Sequence, residues 1–352
     1  MRAMSHDLAV RRRTLARHPA RVAMALIMVL LLTVMGAAPL RMAVAKVILY
    51  GPDYLAPTQE STHVVVRREV APGRVVVSSA PVRKGAVQEG RLVSAALRGA
   101  ARTYEIYLPP GYFDGANAAR RYPVLYLLHG APGMPTDWVE AGHAATTMDL
   151  LLAQGLVRPF IIVMPDGNGG MLRDSQYVNS WNGQARVMDY LAYDVVPTID
   201  ARYRTLPDRL DRAIGGTSEG GYGAYNVGLH HPELFNTLIS ISGYFRALRS
   251  EVFGANDPFG HDQAFQRANS PEFYAATVPG VRHMHLFVAA SAEEGNYTRW
   301  ALQFTAALRR AGIPYTPNLH HPTGLALFEH YWPYWRLALQ DALVYCSQSF
   351  GH

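Results

Sequence analysis

Ser218 lies in the segment Gly216-Thr217-Ser218-Glu219-Gly220, which matches G-x-S-x-G. A serine hydroxyl is a weak nucleophile unless it is exposed and paired with a base. A sharp turn from strand to helix supplies the exposure, and small residues two before and two after the serine permit that turn. The motif alone recurs by chance in long chains. Here Arg212–Gly215 reads as a strand before it and Gly220–His230 as a helix after it, which is the setting the chemistry needs. A second segment, Leu127-Leu128-His129-Gly130-Ala131, ends a strongly apolar strand. The turn after such a strand can offer a backbone N–H to an oxyanion, and the N–H of the residue after the nucleophile, Glu219, offers another. Pro132 has no N–H, so Ala131 is the candidate partner donor.

The elements that must position these groups follow a regular rhythm. Tyr104–Leu108, Tyr122–His129, Phe160–Met164, Leu238–Ser242 and His285–Ala290 read as strands. Met188–Tyr203, Tyr297–Ala311 and Trp335–Tyr345 carry helical periodicity, and Gly312 stops the second of them. Uninterrupted apolar strands alternating with helices predict an α/β fold: a mostly parallel central sheet covered by helices on both faces.

Several segments then resemble a known family, in order along the chain. They are Tyr107-Leu108-Pro109-Pro110-Gly111-Tyr112, Leu127-Leu128-His129-Gly130, Gly215 to Asn226, His231-Pro232-Glu233-Leu234-Phe235, Ser242-Gly243-Tyr244 and His330-Tyr331-Trp332-Pro333-Tyr334-Trp335. Over residues 90–347 the chain resembles the "putative esterase" family, which includes esterase D-like enzymes, feruloyl esterase domains and the mycobacterial mycolyltransferases. The resemblance implies an α/β-hydrolase fold, the chain order Ser, acid, His, and no metal or organic cofactor. It carries His330 over as the general base, through His-x-Trp-x-x-Trp. It places the acid just past the strand His285–Ala290, where Ala290-Ser291-Ala292-Glu293-Glu294-Gly295 lacks the family's usual Gly before the acid. Glu293 is the favoured acid and Glu294 the alternative. The residue after the nucleophile is commonly Met in this family and here is Glu219, whose carboxylate would put negative charge near the oxyanion unless it points away.

Other residues carry less. Trp138, Tyr177, Trp181 and Tyr297 fall in loops or at helix starts that gather at the carboxyl edge of such a sheet. Trp181, within Asn179-Ser180-Trp181-Asn182, is the candidate for the substrate pocket. His230-His231 matches the family's helix end. His320-His321, His283 and His285 lack metal-ligand spacing, so no metal site is expected.

The chain has 352 residues, 49% of them apolar, which is enough for one large α/β domain. Its net charge of +6 is local. Seven of the 33 basic residues and one of the 27 acidic ones fall in residues 1–45, leaving 26 of each sign in the rest. The body therefore has no bias toward polyanions, and a nucleic-acid partner is not expected. Cys346 is the only cysteine, which excludes an internal disulfide and a thiolate cluster. Val22–Leu40 is an uncharged run of 19 residues behind Arg11, Arg12, Arg13, Arg17 and Arg21. As a helix it would extend about 28 Å, close to a bilayer core of about 30 Å. It predicts export, either with an uncleaved signal anchor that holds the catalytic domain at the membrane or by secretion after cleavage near Ala45. The expected organisation is a basic end and signal segment over 1–45, a β-rich lead-in over 46–89 and a catalytic domain over 90–352. Within the lead-in, Val64–Val66 and Val75–Val77 suggest a hairpin or a stalk.

The expected function is a serine esterase acting on a small-molecule or glycan-linked ester through an acyl-enzyme. Two rivals stand beside it: an acyltransferase to an envelope sugar or lipid hydroxyl, and a non-catalytic surface binding protein that retains the fold.

Overall fold

The first strand of the main sheet, β3 (Ala86–Ser94), pairs antiparallel with β4 (Ala100–Leu108) across a turn in which Arg98 and Gly99 take positive φ. These two strands form the sheet's antiparallel margin. The structure is a computed structural model and describes residues 63–71, 74–169, 174–248, 257–319 and 330–352. The signal segment expected over Val22–Leu40 lies outside the described residues. Among the described residues no helix is long and apolar enough to cross a membrane. β1 (His63–Ala71) and β2 (Arg74–Pro81) pair antiparallel in a two-stranded sheet of their own, apart from the main sheet.

The rest of the sheet is parallel. Its strands are β5 (Val124–Leu128), β6 (Ile161–Pro165), β7 (Arg212–Thr217), β8 (Thr237–Ile241), β9 (His285–Ala289) and β10 (Thr316–Asn318). The eight strands lie in the order β10-β9-β8-β7-β5-β6-β4-β3, and β4 meets β6 antiparallel. Every residue of β5, β6, β7 and β8 is buried. Successive side chains on a strand point to opposite faces, so both faces are covered. This is why the strands carry uninterrupted apolar runs in place of alternation. The expected strand at Tyr104–Leu108 is longer, and β3 takes in residues that the sequence pattern had left to the lead-in. Gln88, Glu89 and Arg91 are exposed on this edge strand and hide its apolar signal.

The longer helices among the described residues are α1 (Ala144–Ala153), α2 (Val196–Arg202), α3 (Glu219–His230), α4 (Asn296–Arg310) and α5 (Trp332–Ser349). α3 packs on β5, β7 and β8, while α5 packs on β8, β9 and α1. α3 is buried along nearly its whole length, and its glycines let it lie close to the strands. At Gly228 an added Cβ would meet Leu238 at 2.1 Å. Because β5, β7 and β9 run in parallel, the segments that follow them emerge at one edge of the sheet. That edge collects the residues whose chemistry the sequence suggests.

Candidate active site

Ser218 stands between the end of β7 and the start of α3, with φ 55° and ψ −120°. Positive φ in a residue with a Cβ costs about 1–3 kcal/mol and persists only where the surroundings enforce it. Here they do. The Ser218 N–H donates to the Ile241 carbonyl (3.0 Å) and the Tyr222 N–H donates to the Ser218 carbonyl (3.1 Å). The flanking glycines make room: a Cβ on Gly216 would meet the Gly220 backbone at 2.5 Å, and one on Gly220 would meet the Leu128 carbonyl oxygen at 2.4 Å.

The His330 Nε2 lies 2.9 Å from the Ser218 Oγ, and its Nδ1 lies 2.5 Å from the Glu294 Oε1. An ionised carboxylate only accepts, so Nδ1 carries the ring proton and Nε2 is left to accept from the serine hydroxyl. The carboxylate facing His330 is therefore that of Glu294 and not that of Glu293, which is exposed to solvent. The cause of this one-residue correction is local. After β9 the turn closes on itself: the Glu294 N–H donates to the Ser291 carbonyl (3.3 Å) and the Ser291 N–H donates to Glu294 Oε2 (3.1 Å). Ala292 and Glu293 occupy the outside of that turn, and the Glu294 side chain is wholly buried beneath it.

The turn after β5 passes beside Ser218. A Cβ on Gly130 would lie 3.3 Å from the Ser218 Cβ. This turn is fixed by side chains the sequence pattern left unassigned. The Tyr177 hydroxyl donates to the His129 carbonyl (2.8 Å), and the Trp138 indole N–H donates to the Leu128 carbonyl (3.0 Å). The buried His129 ring accepts from the Gly167 N–H at Nε2 (3.2 Å), so its Nδ1 carries the proton and donates to the Gly130 carbonyl (2.8 Å). Holding that carbonyl also fixes the peptide plane shared with the Ala131 N–H. The other candidate donor, the Glu219 N–H, is in the first turn of α3 and has no partner within the helix.

The Glu219 side chain is buried against the loop that follows β6. Asn168 Nδ2 donates to its Oε2 (3.4 Å), and its carboxyl also meets the Asp174 carboxylate. Burial first, and then the Asp174 charge, push the Glu219 carboxyl well above the usual carboxylate range. Burial thus biases the side chain toward its neutral form and weakens the negative charge that the sequence places beside an oxyanion.

Tyr297, in the first turn of α4, stacks on the His330 ring with centroids 3.6 Å apart and planes 16° from parallel. Trp335 meets the same imidazole edge-on at 5.1 Å and donates its indole N–H to Ser242 Oγ (3.0 Å). Trp181, the candidate for the substrate pocket, packs on the segment that begins at Asp257. Its backbone N–H donates to the Pro258 carbonyl (2.8 Å), its indole covers Gly260, and it remains 57% exposed. None of the described hydrogen bonds or ring contacts joins it to Ser218, Glu294 or His330. Tyr297 was visible only as a loop aromatic; its distance of three residues from Glu294 was the available signal. Among the described residues no group of three or more His, Cys, Asp or Glu is arranged to hold a metal ion.

Comparison with known proteins places this site in context. The family model described as "Putative esterase" matches residues 94–346. An uncharacterized protein of Corynebacterium glutamicum is 27% identical over 259 residues, covering 71% of this chain and 58% of that protein. An endo-1,4-beta-xylanase/feruloyl esterase of Xylanibacter ruminicola is 35% identical over 147 residues, covering 41% of this chain and 20% of that protein. The chain thus spans less than two thirds of the length of these curated relatives. Among solved structures, a ferulic acid esterase is similar with a TM-score of 0.64 at 27% identity, covering 76% of this chain and 99% of that one. An S-formylglutathione hydrolase from Agrobacterium tumefaciens shares the fold, with a TM-score of 0.62 at 17% identity, covering 78% and 99%.

Proposed function

The chain belongs to the "putative esterase" family, and on that premise we propose that it is a serine esterase that cleaves carboxylic esters through an acyl-enzyme. The observation that carries this reading is the continuous chain of contacts from Ser218 Oγ through His330 to Glu294. Ser218 attacks the ester carbonyl while His330 Nε2 takes its proton. Glu294 holds the imidazole in the tautomer that can do so and stabilises the imidazolium. The Ala131 and Glu219 N–H groups receive the oxyanion. The alcohol leaves with the proton from His330, and water activated by the same base releases the acid.

The substrate is an ester of a small carboxylic acid, free or attached to a glycan. The ferulic acid esterase likeness supports an aromatic acyl group, and the aromatic rings of Tyr297 and Trp335 around His330 suit one. The basic N-terminus ahead of Val22–Leu40 supports export, with the catalytic domain on the far side of the membrane.

The test is labelling with a fluorophosphonate probe, together with turnover of p-nitrophenyl esters and of methyl ferulate. Wild-type protein labels at Ser218 and hydrolyses the esters; Ser218→Ala does neither, with a loss of about 10⁴–10⁶ in rate. A folded Ser218→Ala variant with near-normal turnover ends the serine-esterase reading. Product analysis with an added alcohol or sugar decides whether water is the normal acyl acceptor.

A further inference from the structure

His330 lies in a bend just ahead of α5, outside any helix or strand, so no ladder of backbone bonds fixes its ring. Its two nitrogens reach Ser218 and Glu294. Two hydrogen bonds fix a line through the ring but not its tilt about that line. Two aromatic neighbours set the tilt: Tyr297 lies flat on the imidazole, and Trp335 stands at 88° to it with centroids 5.1 Å apart. Trp335 is in the first turn of α5, and its buried indole N–H donates to Ser242 Oγ at 3.0 Å.

Ser242 follows β8 and is wholly buried. Its φ of 53° is one that a residue with a Cβ seldom adopts and that glycine would hold without strain. Such strain persists only where the surroundings enforce it, and it clusters at functional sites. The surroundings here belong to the other members of the triad. The Ile241 carbonyl, one residue before, accepts from the Ser218 N–H (3.0 Å). The Ser242 N–H donates to the Ala289 carbonyl (2.7 Å) at the end of β9, just ahead of the turn that carries Glu294. The backbone step from Ile241 to Ser242 is thus bonded to the nucleophile on one side and to the acid's strand on the other. The Ser242 hydroxyl then reaches the ring that packs on the base.

We propose that Ser242 and Trp335 are positioning residues for the general base. The Ser242 hydroxyl accepts from the Trp335 indole and holds that ring against His330, at the tilt from which Nε2 and Nδ1 face Ser218 and Glu294 together. This rests on His330 being the base. Both residues act through His330, and no proton leaves either of them. Glycine at position 242 would relieve the strain but leave a buried indole N–H without its acceptor, which is costly. That is the reason a hydroxyl stands where the backbone favours glycine.

The experiment compares Ser242→Ala, Ser242→Gly and a protein with benzothienylalanine at position 335, in which sulfur takes the place of the indole N–H and the ring shape is kept. Each is measured by kcat and KM for p-nitrophenyl acetate, by thermal unfolding, and by the far-downfield proton resonance of His330 Nδ1–H. The expected result is a fall in kcat of about 10- to 100-fold with KM within about twofold of wild type, and an upfield shift or loss of the Nδ1 resonance. Ser242→Gly is expected to unfold at a higher temperature than Ser242→Ala, through relief of the strain, and to be just as slow. Ser242→Ala combined with the Trp335 replacement is expected to cost no more than either alone, since both remove one hydrogen bond. The proposal is overturned by kcat within about threefold of wild type in Ser242→Ala, by rates that follow Tm between the Ala and Gly variants, by an unchanged Nδ1 resonance, or by additive losses in the combined variant. If wild-type protein takes no fluorophosphonate label, the serine-esterase reading fails separately, and the Nδ1 resonance still decides whether Ser242 holds His330.

Discussion

Gly220 sits so close to Leu128 that a Cβ on the glycine would stand 2.4 Å from the Leu128 carbonyl oxygen, with the His129 carbonyl at 2.5 Å. The first turn of α3 therefore rests directly on the end of β5, and both obstacles are backbone atoms that cannot swing aside. Gly220→Ala is expected to lose about 1–3 kcal/mol of stability from overpacking. Because the displaced segment carries Ser218, a shift of about 1 Å is also expected to cost about 10² in turnover. Thermal unfolding and the rate of fluorophosphonate labelling measure the two effects. A variant that matches wild type in both would mean that the elbow tolerates a looser contact with β5.

Glu294 and Glu293 offer a sharper contrast. Glu294→Gln replaces an acceptor-only carboxylate with an amide that can donate to Nδ1 and hold His330 in the wrong tautomer, with an expected loss of up to about 10⁴ in kcat. Glu293→Gln changes an exposed charge and is expected to stay within about 0.5 kcal/mol of wild-type stability and close to its rate. Steady-state kinetics of the two purified variants decides it. Reversed effects would return the acid to position 293.

The buried Glu219 carboxyl gives a pH-dependent stability term of defined sign. Its pKa in the folded protein is raised well above 4.5, by burial first and by Asp174 second. Below the usual carboxylate range both folded and unfolded chains hold the proton, and nothing is lost. As pH rises past that range the unfolded chain releases the proton and the folded chain keeps it, so stability declines until the folded-state pKa is passed. Glu219→Gln has the shape of the neutral acid and lacks this decline. Its Tm relative to wild type is expected to increase between pH 5 and pH 8. A constant difference across that interval would mean that Glu219 is ionised in the folded protein.

Anchoring is tested by fractionation. Full-length protein is expected to pellet with membranes and to resist a high-salt wash, because a run of 19 uncharged residues is long enough to span the bilayer core. A chain starting at Lys46 is expected to remain in the supernatant with its esterase activity intact. Mature protein whose N-terminal sequence begins at Lys46 would establish a cleaved signal instead.

The parts of the fold that were plain in the sequence are those where burial is continuous. Val124–Leu128 and Ile161–Pro165 have no polar residue to blur the pattern, and the glycines around Ser218 are demanded by backbone contacts. The parts that were hidden depend on contacts between residues far apart in the chain. Which of two adjacent glutamates faces His330 is decided by a turn that closes through the carboxylate itself, and neighbouring identical side chains give a pattern no means to choose. In the sequence His129 stands only at the end of an apolar strand, and its two hydrogen bonds to backbone become apparent only when the Gly167 loop is folded against it. Glu219 reads as an unwelcome charge because the sequence reveals neither its burial nor Asp174 beside it.

β8 contributes no side chain to the proposed chemistry, yet it sets the span of the site. Ser218 follows β7 and the turn that carries Glu294 follows β9, so one intervening strand holds the ends of β7 and β9 two ladder spacings apart, about 9.5 Å. A single imidazole bridges what remains once both side chains reach inward. The sheet thus works as a ruler for the proton path, with β8 as its graduation. Ser240 on that strand packs where a Cβ on Gly221 would lie 2.7 Å from its Oγ and one on Gly243 would lie 2.1 Å from it. Enlarging Ser240 would leave that spacing unchanged and press instead on the first turn of α3 at Gly221, carrying Ser218 off the ruler's mark.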